Sequence, residues 1–146
     1  VIRDSDKQRP HERLEVWRDA MALVEGVYRH SDALPDSERF GLTAQLRRTA
    51  VSVPSNIAEG AARRSTQEYL RFLSIARGSL AELDTQLQIA ERLDFVAPDP
   101  LLAQLLDRTF ARLNALIRTL DSGPRTIREP SAAYESQIPN PESHAR

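Results

Sequence analysis

The sequence predicts an all-α protein, an antiparallel up-down-up-down four-helix bundle with a kinked second helix. Apolar residues recur at steps of three and four in four consecutive segments, the spacing that lines one face of a helix. Each segment is bounded by residues that start or stop helices. The links between segments are short, which makes consecutive helices antiparallel neighbours. The bundle is expected over residues 12–122, after a polar arm at 1–11 and before a Pro-rich tail at 123–146.

The first helix is expected between Glu12 and Ala33, with Leu14, Trp17, Met21, Val24 and Tyr28 as its core stripe. Pro35, Asp36 and Ser37 break that pattern, and their short oxygen-bearing side chains suit the opening of a second helix. There Leu42, Leu46, Thr49, Val53 and Ile57 form the inner stripe, and Gly60 stands where a left-handed C-terminal residue is expected. Pro54 interrupts the second helix. It has no amide hydrogen for the carbonyl of Ala50, and its ring crowds that turn. Because the core period continues through Ile57, a kinked but continuous helix is expected rather than a helix end.

In the third helix, Ser65 and Glu68 have capping-box spacing, and Tyr69, Leu73, Ala76, Leu80, Leu83, Leu87 and Ala90 follow as a bundle seam ending near Leu93. Asp99 and Pro100 then mark a fourth start, proline being well suited to a first helical position. The fourth helix is expected to reach about Leu120 through Leu102, Leu105, Leu106, Phe110, Leu113, Leu116 and Ile117. Ser122, Gly123 and Pro124 stop it, and the polar tail beyond, with Pro130, Pro139 and Pro141, is expected to be disordered.

A chain of 146 residues is long enough to bury a core without disulfides or a structural metal. Cysteine is absent, which removes thiol chemistry and is compatible with a reducing cytoplasm. No apolar run approaches the roughly 18 residues of a membrane span, so a soluble cytoplasmic protein is expected. Net charge is only −1, yet the segment from Arg39 to Arg77 carries seven arginines against Glu59 and Glu68. Arginine's planar fork matches carboxylates and phosphates, but genome base composition produces the same preference for arginine over lysine and weighs more heavily.

Catalytic machinery is not expected. His11, His30 and His144 are scattered, and no Glu-x-x-His pair supplies the di-metal site common in such bundles. Glycine loops for phosphate and nucleophile elbows are also missing, so neither metal nor cofactor is expected. Ser52, Ser55, Asn56 and Glu59 form the one polar group resembling a site. A structural role near Pro54, supplying a donor to the freed carbonyl of Ala50, weighs more heavily.

Outward faces carry more information. On the second helix, Ala44, Val51, Ser55 and Ala58 lie opposite or beside the core stripe, and no charge occurs from Thr49 to Ala58. On the first, Val16, Leu23 and Val27 extend the apolar arc beyond what a monomeric bundle needs. Two neighbouring helices with this feature point to homo-oligomerisation. Gly78 and Ala81 on the third helix would permit a close approach, either to a partner or within the chain.

The run from Gly41-Leu42-Thr43-Ala44-Gln45-Leu46-Arg47-Arg48 through Ser52-Val53-Pro54-Ser55-Asn56-Ile57-Ala58-Glu59-Gly60, with Leu14-Glu15-Val16-Trp17 before it and Phe72-Leu73-Ser74-Ile75-Ala76-Arg77 to Leu87 after it, resembles the signature of the 23S rRNA-intervening sequence protein family. The likeness covers Leu14 to about Phe95, and Asp94 stands where members usually have glycine. It implies a bacterial four-helix bundle assembled into a ring-like homo-oligomer, a pentamer, and it implies no catalytic residues. A related protein, the accessory variability determinant of diversity-generating retroelements, is associated with a reverse transcriptase and its nucleic acid. By that analogy, RNA, DNA or a reverse-transcriptase-like protein is the expected partner besides the chain itself. Arg47, Arg48, Arg63, Arg64 and Arg71 are the candidate contacts. The expected function is a non-enzymatic oligomeric scaffold with a nucleic-acid-binding arginine face. A protein-only adaptor is the alternative, and an enzyme is a third reading.

Overall fold

The computed structural model describes residues 8–123. The first seven residues of the polar arm and the Pro-rich tail from 124 onward lie outside the described residues. Four helices follow in chain order: α1 (Glu15–Ser31), α2 (Leu42–Ala61), α3 (Thr66–Arg92) and α4 (Pro100–Asp121). A 3-10 turn, Pro10–Arg13, leads into α1 and packs on both α1 and α2, and another, Asp36–Glu38, lies in the α1–α2 connection. Each helix packs on the next, and α4 returns to α1, closing an antiparallel four-helix bundle; α2 and α3 share the most extensive interface.

Each helix start has a local cause. Glu38, not Asp36 or Ser37, serves α2: its Oε2 accepts the Leu42 amide at 3.0 Å. A Cβ on Gly41 would lie 2.6 Å from that oxygen, so glycine leaves room for the carboxylate. At α3, Ser65 Oγ accepts the Glu68 amide at 3.2 Å, the serine half of the capping box. At α4, Asp99 accepts the amides of Leu101 and Leu102, each at 3.1 Å, with Pro100 in the first turn.

α2 continues through Pro54 as one bent helix. The side chains near the proline do not reach Ala50 as expected from the sequence. Ser52 donates to the Thr49 carbonyl at 2.6 Å, Ser55 to Val51 at 2.7 Å and Asn56 to Ser52 at 2.7 Å. These hydroxyls and the amide follow the i−3 and i−4 directions open to them on a helix, which lead to the carbonyls of Thr49, Val51 and Ser52 and pass over that of Ala50.

Gly60 also departs from expectation. It is buried inside α2, and the described residues include no glycine with positive φ. Its role is close approach: an added Cβ would meet Phe72 Cβ at 2.9 Å and the Tyr69 carbonyl oxygen at 3.2 Å on α3. The left-handed helix terminus occurs instead at Asp94, with φ 57°. The Asp94 amide donates to the Glu91 carbonyl and the Phe95 amide to the Ala90 carbonyl, both at 3.0 Å, the two bonds of a Schellman motif.

The core is Leu-rich, with Leu46, Val53, Ile57, Leu73, Leu80, Leu83 and Leu113 fully buried. Each such side chain contributes about 1.5–3 kcal/mol of transfer free energy on leaving water. The inward face of α1 is not the expected one. Val16, Ala20, Leu23 and Val27 are buried, whereas Met21 and Tyr28 are about two-fifths exposed. The two candidate stripes differ by a rotation of roughly 100° and share one period, so spacing alone cannot choose between them. Long-range pairing favours the observed rotation: it turns Asp19 toward α4 and Tyr28 toward α2.

Candidate functional site

Two surfaces emerge from this arrangement. The first lies along the groove between α1 and α2. On α1 it presents Met21 and Tyr28, with Trp17 and Val24 half-buried beside them. On α2 it presents Val51, 41% exposed, with the exposed Ser55 and the half-buried Ala44 and Ala58. Ser55 adds little polarity because its hydroxyl is spent on the Val51 carbonyl. No charged residue occurs on α2 between Thr49 and Ala58, so the stripe is apolar over about ten residues, roughly 15 Å of helix.

The α2 residues expected at an outer face therefore stand there, while those expected on α1 do not. Val16, Leu23 and Val27 are 4%, 0% and 0% exposed and belong to the core. Their neighbours Trp17, Met21, Val24 and Tyr28, which the sequence suggests as the inner stripe, form the outer face. The apolar excess of α1 is legible in the sequence; its direction is not.

The second surface is made of arginines, and the fold separates the five candidates. Arg47 joins α2 to the end of α1. Its Nη2 donates to Asp32 Oδ1 at 2.8 Å, its Nε donates to Ser31 Oγ at 2.9 Å, and its guanidinium lies 4.7 Å from the centroid of the Tyr28 ring. Placed at the carbonyl end of α1, this cation also meets the negative pole of the helix. Arg48 is exposed beside it. Arg63, Arg64 and Arg71 sit where α2 gives way to α3, roughly 24 Å from Arg47 along α2. Arg63 stacks on Phe72 at 4.7 Å and pairs with Glu59 at 3.4 Å. Arg64 and Arg71 are exposed, and Arg71 borders a shallow depression with Ser65, Gln67, Glu68, Leu70 and Ser74.

One polar constellation has no counterpart in the sequence reading. Asp19 on α1, 6% exposed, receives Arg108 at 3.1 Å and Arg112 at 2.7 Å from α4, and Arg112 also reaches Glu15 at 3.6 Å. The available signal was an acidic residue embedded in an apolar stripe opposite two arginines four apart. The constellation clasps α1 to α4. Ser52, Pro54, Asn56, Glu59 and Gly60 are likewise bound into the fold, through backbone hydrogen bonds, helix packing or the Arg63 ion pair.

The family model described as 23S rRNA-intervening sequence protein matches residues 12–117, nearly the whole bundle. The chain belongs to this family. No match is found among the curated proteins. Among the described residues, no helix is long and apolar enough to cross a membrane. No group of three His, Asp or Glu side chains among them converges as metal ligands.

Proposed function

We propose that this family member is a non-enzymatic scaffold that self-associates through the α1/α2 face into a ring, a pentamer, and contacts nucleic acid in the cytoplasm through its exposed arginines. The observation that carries the reading is the apolar stripe of Met21 and Val51, with Tyr28 two-fifths exposed beside the Arg47 guanidinium, flanked by Trp17, Val24, Ala44 and Ala58. Helices apolar on two sides are ordinarily buried on two sides. A flank parallel to the helix axes, repeated on every copy, suits side-by-side association. The nucleic-acid part rests on the exposed Arg48, Arg64 and Arg71 and on the analogy with the accessory variability determinant, a likeness of fold.

A protein-only adaptor is the second reading. It is favoured by the commitment of Arg47 and Arg63 to partners within the chain, which removes two of the five candidate cations from free phosphate contact. Light scattering tests the self-association, and nucleic-acid titration at low salt separates the two readings. Mass of several chains with binding supports the scaffold; the same mass without binding favours the adaptor.

A further inference from the structure

The fold sorts charge by height in a way that the linear sequence conceals. One half of the bundle contains the start of α1, the α2–α3 turn and the end of α4, comprising residues 8–23, 52–79 and 111–123. That half carries nine arginines and six acidic residues. The other half, residues 24–51 and 80–110, carries six arginines and ten acidic residues. The bundle is therefore polar along its length, with one basic and one acidic end. Arg39 to Arg77, the basic segment of the sequence, begins at the acidic end and finishes within the basic half, so it does not form a single face.

The contrast lies in the carboxylates more than in the guanidiniums. At the basic end, Asp19 and Glu15 are engaged by Arg112, and Glu59 by Arg63. Arg13, Arg64, Arg71 and Arg118 are exposed and make no ion pair among the described residues, with only Glu68 and Asp121 as exposed unpaired carboxylates beside them. Arg29, Arg39, Arg48 and Arg92, equally unpaired, stand at the other end among a larger number of acidic residues. The aromatic rings near this end are engaged, Phe72 under Arg63, Trp17 edge-on to His11 at 5.0 Å and Tyr69 half-buried against the core. A surface with free guanidiniums and no bare stacking platform is suited to phosphates and not to bases. The opposite end presents Asp36, Glu38, Glu91, Asp94 and Asp99 without ion pairs among the described residues, beside Asp32, which Arg47 engages, and this excess of carboxylates repels a polyanion.

We propose that the basic end is a sequence-independent contact surface for the phosphodiester backbone of nucleic acid. This rests on the nucleic-acid reading above and locates it. In a ring closed through the α1/α2 flanks, rotation about an axis parallel to the helices keeps every basic end on one rim. Repetition around that rim adds avidity to interactions that are individually weak.

The test is fluorescence-anisotropy titration of the full chain with labelled mixed-sequence single-stranded RNA and DNA of equal length at about 50 mM salt. Arg64→Gln/Arg71→Gln is compared with the opposite-end pair Arg29→Gln/Arg92→Gln, and Arg13→Gln/Arg118→Gln serves as a second basic-end pair. Both basic-end pairs should weaken binding roughly tenfold or more. They should also flatten the dependence of log affinity on log salt by about 0.7–0.9 for each phosphate that is no longer neutralised. The opposite-end pair should leave affinity and slope unchanged, and RNA and DNA should bind alike. Equal effects from both ends, no effect from the basic-end pairs, or no binding by the wild type would each overturn the assignment. Light scattering on the same samples reads self-association independently, so failure at the basic end is distinguishable from failure of the oligomer.

Discussion

Arg112 donates to Asp19 across the α1–α4 interface at 2.7 Å, onto a carboxylate whose side chain is only 8% exposed. The two arginines of this clasp, Arg108 and Arg112, keep 56% and 39% exposure, so the anion is the buried partner. Removing the cations is therefore expected to cost more than removing the anion, because it strands a buried charge. Arg108→Gln/Arg112→Gln should lose about 3 kcal/mol in chemical denaturation, whereas Asp19→Ala should lose about 1–2 kcal/mol, its arginines returning to water. The reverse order would show that the arginines, not Asp19, bear the desolvation.

Gly60 and Gly78 make a matched pair. An alanine Cβ at position 60 meets backbone and Cβ atoms of α3, so Gly60→Ala should destabilise by about 1–3 kcal/mol through separation of α2 from α3. At position 78 there is nothing within 4 Å, so intrachain packing does not explain that glycine. Gly78→Ala should raise the melting temperature, gaining about 1 kcal/mol of helix propensity. Thermal melts of the two variants should move in opposite directions.

Asp94 holds a left-handed conformation that costs an L-residue without local compensation about 1–2 kcal/mol. The Schellman bonds retain it there. Asp94→Gly should preserve them and stabilise the protein by about 0.5–1 kcal/mol, measured by urea denaturation. Loss of stability would mean that the Asp94 side chain makes a favourable interaction of its own.

Tyr69 links the tight α2–α3 crossing to pH. Burial raises its hydroxyl above the ordinary tyrosine value. The folded state therefore holds the proton more firmly than the unfolded one. Tyr69's favourable contribution is present below its unfolded pKa, near about 10, and is lost as pH rises through the folded value. Melts across the alkaline range should show the wild type falling more steeply than Tyr69→Phe.

Most of the architecture is legible in the sequence because its signals are local. Asp99-Pro100 caps α4 as its chemistry requires, and the seam from Leu73 to Ala90 is buried as its period requires. The discrepancies arise where a long-range partner decides. Gly60 reads as a helix terminator until Phe72 and Tyr69 are found against it. Val16 and Leu23 read as outer residues because α1 has two apolar stripes of the same period, and only Asp19 with Arg112 and Tyr28 with Arg47 orient it. Arg47 and Arg63 read as part of one basic face, but the fold sets them at opposite ends of α2 and gives each an intramolecular partner. The outer residues of α2 are identifiable because the gap in charge from Thr49 to Ala58 is itself a local signal.

Self-association through the α1/α2 face is tested most directly by the solution mass of the full chain in multi-angle light scattering, for the wild type and for Val51→Glu and Met21→Glu. Both substitutions place a carboxylate on the half-exposed α1/α2 face and leave the core intact, unlike Leu23→Glu, which would bury a charge at a fully covered site. The expected result is a wild-type mass of several chains, five for the proposed ring, and dissociation of both variants with their helical circular-dichroism signal retained. A wild type that stays at the 16.4 kDa of one chain across micromolar concentrations, or variants that keep the full assembled mass, would contradict it.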